Sequence, residues 1–159
     1  MGNNYISEIR SKVGHIPMHN PVVTAIIYKD GKILLQKRMD NGCWAIHGGA
    51  IELGEKYLDT LKRELKEELN IEPINPELMG IYSGEELFNI YPLSKDQVYA
   101  LNHVFFCEEF KGEINFTDGE VLDLQWFDLD NLPDNIFKIN RPIINDVKKF
   151  VENHKVIVN

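Results

Sequence analysis

Three glutamates that follow a pair of glycines are the residues of this chain best placed to do chemistry. Glu64, Glu67 and Glu68 lie in one predicted helix behind Gly48 and Gly49. At about 100° per helical residue, the three side chains fall within an arc of about 100°, so their carboxylates should converge. Such like charges repel, and they crowd the helix end that already disfavours anions. Mg²⁺ or Mn²⁺ would convert the repulsion into coordination, because these ions prefer carboxylate oxygens.

An acidic helix face is also a common solvated surface, so the spacing of the whole segment has to decide between the two interpretations. Apolar residues at three- and four-residue intervals predict a helix over residues 56–69 with one buried stripe. The stripe consists of Leu58, Leu61, Leu65 and Leu69. Asn70 and Pro73 are expected to end this helix.

The spacing of the polar residues in the same segment resembles the Nudix box, G-x5-E-x7-R-E-U-x-E-E-x-G-U, where U is apolar. The series begins at Gly49, places a glutamate at Glu55, and continues from Arg63 to Ile71. Asn70 replaces glycine at one position, and every other specified position matches. That position follows the helix, where a left-handed backbone is expected and asparagine is the best substitute for glycine.

The resemblance implies roles for the acidic residues of the box. Glu67 and Glu68 would be the principal metal ligands, and Glu64 would be a third ligand or the general base. A backbone carbonyl of Gly48 or Gly49 would complete the metal site.

The resemblance also implies supporting residues around this centre. Arg63 would pair with Glu55 and thereby aim the catalytic carboxylates. Relatives often add one acidic residue from outside the box, and the candidates here are Asp118, Glu120 and Asp123. We favour Glu120, against the alternative of a solvent-exposed turn.

Three further residues are predicted to meet the substrate. His47 stands where the family usually has proline before the two glycines, so it either contacts a phosphate or plays a structural part. Phe88 and Tyr91 lie in a predicted surface loop, residues 84–97, where they would stack on a nucleobase or pack in the core.

The resemblance therefore predicts a Mg²⁺-dependent pyrophosphohydrolase, with Mn²⁺ as the other candidate ion. Its substrate would be a nucleoside diphosphate linked to another moiety, such as a nucleoside triphosphate, an oxidised dNTP or ADP-ribose. The alternatives are a non-catalytic domain that senses a nucleotide, and an enzyme that trims the 5′ ends of RNA.

Composition limits the partners of the chain. The formal net charge of -8 argues against a nucleic-acid partner, since such binding depends on lysine and arginine. Cys43 and Cys107 are isolated, and we infer a reducing cytoplasm. No apolar run is long enough to span a membrane. Many relatives form pairs, so a homodimer is compatible with the resemblance.

The elements that must position these residues suggest one α/β domain over all 159 residues. An N-terminal helix and connector, residues 1–20, should pack on it. Strands are predicted at residues 22–28, 32–37, 44–47, 77–83, 98–110 and 122–127, and a closing helix at 142–151. The order predicts a mixed β-sheet between helices, and the Nudix fold, an α/β/α sandwich, agrees.

Overall fold

The computed structural model of the protein describes residues 5–116 and 119–159. Its helices and strands follow one another in a mixed α/β order. The helices are α1 (Tyr5–Val13), α2 (Tyr57–Leu69), α3 (Arg141–Asn145) and α4 (Val147–Asn153). The strands are β1 (Met18–Lys29), β2 (Lys32–Arg38), β3 (Trp44–Ala45), β4 (His47–Ala50), β5 (Glu72–Ile74), β6 (Glu77–Tyr82), β7 (Phe88–Ile90), β8 (Gln97–Cys107), β9 (Glu109–Lys111), β10 (Val121–Asp128) and β11 (Ile157–Val158).

The main sheet has the strand order β10-β2-β1-β8-β6-β11, and the short strands β3, β4 and β7 pair with β2, β1 and β8 respectively. It is mixed, because β1 and β8 run parallel whereas β1 and β2 are antiparallel. Strands β5 and β9 form a separate small ribbon.

Alternate residues of β1 face two different cores, as expected for a strand buried on both sides. Ala25 and Ile27 pack with the leucines of α2, whereas Ile26 packs with α3 and α4 through Ile143 and Phe150. The sheet therefore lies between α2 and the C-terminal helices, which is the predicted α/β/α sandwich.

Helix α2 begins one residue later than predicted and ends as predicted. Asn70 caps it in the left-handed conformation, with φ 57°, and its N–H bonds to carbonyls of the last turn. The buried stripe differs at its first member, because Leu58 is 45% exposed and Thr60 is buried instead. Leu58 lies in the first turn of α2, before the part of the helix that packs on the sheet. Its side chain is therefore exposed even though it follows the helical spacing of the buried leucines.

Other elements depart from the predictions at their ends. The strand predicted at residues 44–47 is divided at Ile46 into β3 and β4, and part of the predicted 84–97 loop is β7, which pairs with β8. The closing helix is broken at Asp146 into α3 and α4. Helix α1 forms as predicted but buries no residue completely. In residues 5–116 and 119–159, no helix combines the length and apolar character needed to cross a membrane.

Candidate active site

Close packing leaves little room for a side chain at either of the two glycines before α2. Gly48 has φ +130°, and a Cβ there would lie 2.1 Å from the carbonyl oxygen of Val23. A Cβ on Gly49 would lie 2.6 Å from the carboxylate of Glu64. The missing side chains thus let β4 lie against β1 while a carboxylate of α2 reaches the backbone of the glycine loop, by which we mean residues 48–56, the end of β4 and the segment before α2.

Arg63 joins the loop to the acidic side chains of α2. Its Nε and Nη2 donate to the two carboxylate oxygens of Glu55 at 2.7 and 3.0 Å, which is the predicted pair. Its Nη1 donates to Glu64 Oε1 at 2.6 Å, and its Nη2 also donates to the carbonyl of Ala50 at 3.1 Å. These bonds lower the pKa of Glu55 to about 2, whereas burial raises the pKa of Glu64.

Glu68 lies against the other side of the glycine loop. Its Oε2 accepts a hydrogen bond from the Gly48 N–H at 2.9 Å, and its Oε1 accepts one from Gln36 Nε2 at 3.2 Å. Gln36 is buried in β2, and its Oε1 has no hydrogen-bond partner among the described residues. Gln36 therefore orients Glu68 and keeps a free acceptor beside it.

Glu67 is directed differently from its two neighbours. Its side chain is 59% exposed, and its carboxylate lies 3.6 Å from Arg63 Nη1. Glu64 and Glu68 meet the glycine loop, so the predicted convergence holds for two carboxylates and leaves Glu67 nearer solvent. Among residues 5–116 and 119–159, no three acidic, histidine or cysteine side chains form a ready metal cluster.

The donor set nevertheless fits a hard divalent ion. Carboxylate oxygens of Glu64 and Glu68 lie against the Gly48 to Gly49 backbone, and the missing Cβ of Gly49 lets the Glu64 carboxylate come this close. Oxygen donors of this kind are those that Mg²⁺ and Mn²⁺ prefer. The exposed carboxylate of Glu67 adjoins this pair through Arg63, whose Nη1 lies 3.6 Å from it and bonds to Glu64.

The direct contact predicted between His47 and a substrate does not fit the structure. The ring is completely buried, and Nε2 donates to the carbonyl of Leu34 at 3.1 Å. Burial lowers the pKa of His47 to about 4, so the ring is neutral near pH 7. Its Nδ1 lies 3.8 Å from Glu68 Oε2, and with a neutral ring this contact is not an ion pair. His47 is a buried neighbour of Glu68.

Two cavities adjoin the glycine loop and share Arg38. The Glu68 cavity, of about 280 Å³, is lined by Gln36, Arg38, Met39, Asp40, Glu68, Leu93, Glu120 and Val121. The Asn140 cavity, of about 90 Å³, includes amide, aromatic and glycine residues in its wall. These are Asn20, Asn102, Asn140, Tyr91, Phe137, Gly48 and Gly49.

The remaining predicted site residues divide between these cavities and other places. Tyr91 lines the Asn140 cavity and Glu120 lines the Glu68 cavity. Phe88 lines neither, because its ring packs on Tyr99 with centroids 4.6 Å apart; the substrate contact predicted for it does not fit this position. Asp123 is exposed and binds the N–H of the next residue. Asp118 lies outside the described residues.

Sequence reasoning missed three side chains that shape the cavities. Arg38 pairs with Asp40 through two hydrogen bonds, and its guanidinium lies 4.9 Å from the centre of the Phe137 ring. Asn140 accepts a hydrogen bond from the Ile46 N–H, which fixes the chain before the glycines. Gln36 was detectable as a polar residue within the strand predicted at residues 32–37, whereas Arg38 lies one residue beyond that prediction and no local pattern singles out Asn140.

Comparison with known proteins places most of the chain within one family. A NUDIX domain profile matches residues 18–147. The ADP-ribose pyrophosphatase of Methanocaldococcus jannaschii is 35% identical over 131 residues, covering 80% of this chain and 72% of that protein. The RNA pyrophosphohydrolase of Pelagibacter ubique is 29% identical over 148 residues, covering 87% and 94%.

A solved structure gives the same result. The crystal structure of a MutT NUDIX hydrolase from Burkholderia pseudomallei superposes with a TM-score of 0.69 and 27% identity. The match covers 82% of this chain and 98% of that one. Helix α1 precedes the region that the family profile covers.

Proposed function

The chain belongs to the Nudix family of hydrolases, and we propose that it is a Mg²⁺-dependent pyrophosphohydrolase of a nucleoside diphosphate linked to another moiety. One observation carries the proposal: Glu64 and Glu68 flank the backbone of Gly48 and Gly49, and Arg63 holds Glu64 in place. Carboxylates fixed beside backbone carbonyls suit an ion that must also hold phosphate oxygens.

The residues of α2 and the glycine loop would have two roles, which are metal binding and proton transfer. When bound, Mg²⁺ or Mn²⁺ supplies neutralisation of phosphoryl charge and a water of lowered pKa. Glu67, Glu68 and the Gly48 carbonyl would hold the ion, and Glu64 would be a further ligand or the base that takes a proton from the attacking water. The raised pKa of Glu64, caused by burial, favours proton uptake by this carboxylate.

Arg63 and Glu55 would act by orientation. Their paired hydrogen bonds hold the middle of α2 to the loop, so that the carboxylates do not need to reorganise during the reaction. Glu120, on the wall of the Glu68 cavity, is the proposed acidic residue from outside the box. It would assist as a base or as an extra ligand of the ion.

The second cavity suggests where the uncharged part of a substrate binds. Tyr91 and Phe137 supply aromatic surface in the Asn140 cavity, beside the glycines. Stacking of a base on an aromatic ring contributes about 1–3 kcal/mol, so Tyr91 is the proposed base contact. ADP-ribose is a reasonable first substrate, because a protein named an ADP-ribose pyrophosphatase is 35% identical.

A 5′-triphosphorylated RNA is the second substrate class that the relatives suggest, since one relative is named an RNA pyrophosphohydrolase. The net charge of -8 disfavours a long RNA body, because phosphate contacts depend on lysine and arginine. A small nucleotide therefore remains the preferred substrate.

The test is a panel of nucleoside di- and triphosphates, ADP-ribose, dinucleotides, nucleotide sugars and a short triphosphorylated RNA, each with Mg²⁺ or Mn²⁺. Reaction in ¹⁸O-labelled water identifies the phosphorus atom that is attacked. Hydrolysis of a P–O–P bond that stops with EDTA supports the proposal. Nucleotide binding without metal-dependent turnover of any compound would instead support the sensor alternative.

A further inference from the structure

A buried arginine, Arg10, connects helix α1 to the turn before β8. The side chain of Arg10 is 8% exposed, although α1 buries no residue completely. Its Nη2 donates to the carbonyl of Gln97 at 2.8 Å, and its Nη1 donates to Gly14 and Ile16 carbonyls. Its Nε lies 3.5 Å from Asp96 Oδ1. The buried guanidinium of Arg10 thus makes its polar contacts where the end of α1 meets the turn before β8.

The turn that Arg10 contacts is closed by its own backbone. The Tyr91 N–H donates to the Asp96 carbonyl at 3.0 Å, and the Lys95 N–H donates to the Tyr91 carbonyl at 2.9 Å. His15, just after α1, donates to Asp96 Oδ1 at 2.9 Å. Arg10 and His15 therefore hold the residue on which the turn closes.

This turn carries side chains to both cavities. Tyr91 lines the Asn140 cavity, and Leu93 lines the Glu68 cavity while remaining 81% exposed. Leu93 has little packing of its own to fix it. Its position consequently depends on the backbone of the turn, and the turn depends on Arg10 and Asp96.

The other end of α1 reaches the glycine loop. The Tyr5 N–H donates to Glu52 Oε2 at 3.0 Å, and the Glu52 N–H donates to Glu55 Oε2 at 3.0 Å. A helix of nine residues is marginal on its own, so α1 persists because it is docked at both ends. It spans the distance between the carboxylate site and the turn at residues 91–97.

We propose that α1 is a clamp on the 91–97 turn, with Arg10 as the positioning residue that sets how the cavities hold a nucleotide. The effect on affinity rests on the proposed function, whereas the effect on the turn does not. Arg10 lies outside the residues that the family profile covers.

The test compares Arg10→Met, which keeps the aliphatic stem, with Arg10→Lys and with Lys12→Met as the matched control. Lys12 is an exposed cation on the same helix. Hydrogen exchange in residues 91–97 should be at least about tenfold faster in Arg10→Met and unchanged in Lys12→Met. The KM for the best substrate should rise about tenfold, equivalent to about 1.4 kcal/mol, with kcat within about twofold. Arg10→Lys should recover part of both effects.

Each outcome of this comparison supports or overturns the clamp. Unchanged exchange in the turn overturns the clamp, and faster exchange with an unchanged KM overturns its role in nucleotide binding. A purely structural arginine would lower the melting temperature and leave KM unchanged. If Arg10→Met does not fold, Asp96→Asn must show the same pattern at smaller amplitude. If the wild-type protein hydrolyses nothing, the proposed function fails, and exchange alone decides the clamp.

Discussion

Replacement of Glu68 by glutamine separates the chemistry of the site from its folding. Glutamine has the same shape, so its oxygen can still accept from the Gly48 N–H while its amide faces Gln36. Gln36 can rotate by 180° and present its unpartnered Oε1 to that amide. The free energy of unfolding should then fall only by the difference between a charged and a neutral hydrogen bond, about 1 kcal/mol. Against a typical stability of about 5–15 kcal/mol, the variant remains folded.

The expected loss of activity is much larger than this cost. Removal of a negative charge at a proposed metal ligand should lower metal-dependent turnover at least about a hundredfold, or about 2.7 kcal/mol in activation free energy. Phosphate release across a Mg²⁺ titration measures it, and the half-saturating Mg²⁺ concentration should rise at least about tenfold. Thermal unfolding of the same sample should show a decrease of only about 2–4 °C.

Glu72→Gln is the matched control, because this glutamate is exposed in β5, just beyond the end of α2. Its turnover and its melting temperature should equal those of the wild type. If Glu68→Gln retained more than about a third of wild-type turnover at every Mg²⁺ concentration, the assignment of Glu68 as a ligand would be refuted.

Other substitutions test the support of the site and its substrate side. The pKa of Glu55 is lowered to about 2 from 4.5, so its stabilising effect is complete above pH 4.5 and lost as the pH falls toward 2; in urea denaturation, Glu55→Gln should be less stable than wild type at about pH 6 and equal to it near pH 2. Gln36→Leu should lower kcat about tenfold by releasing Glu68, without loss of melting temperature, because the unpaired acceptor is removed. Tyr91→Ala should raise KM about tenfold in steady-state assays, whereas Phe88→Ala, which alters neither cavity wall, should leave KM unchanged.

Local patterns predicted the fold and the helix that carries the candidate site. The period of α2, the Asp30 to Gly31 hairpin and the left-handed cap at Asn70 each depend on near neighbours, and the structure shows all three. The family match confirms the resemblance on which the fold and the enzyme class were based. The bidentate pair of Arg63 with Glu55, which the resemblance implied, also forms in the structure.

The errors have a different physical origin. Whether His47 is buried depends on β1 and β2 covering it, and whether Phe88 faces a cavity depends on the register of β7 against β8. Asn140 bonds to Ile46 across a long separation in sequence. Such contacts are set by tertiary packing, so neither residue type nor spacing along the chain reveals them.

The adjacent glycines have unequal consequences for how the protein tolerates substitution. At Gly48 any side chain meets a carbonyl of the β1 backbone, which cannot move without separating two paired strands. At Gly49 a methyl group meets only the end of the Glu64 side chain, which can swing aside. In a saturation library scored for both abundance and turnover, variants at Gly48 should have low protein abundance because they fail to fold. Alanine at Gly49 should accumulate as intact but inactive protein.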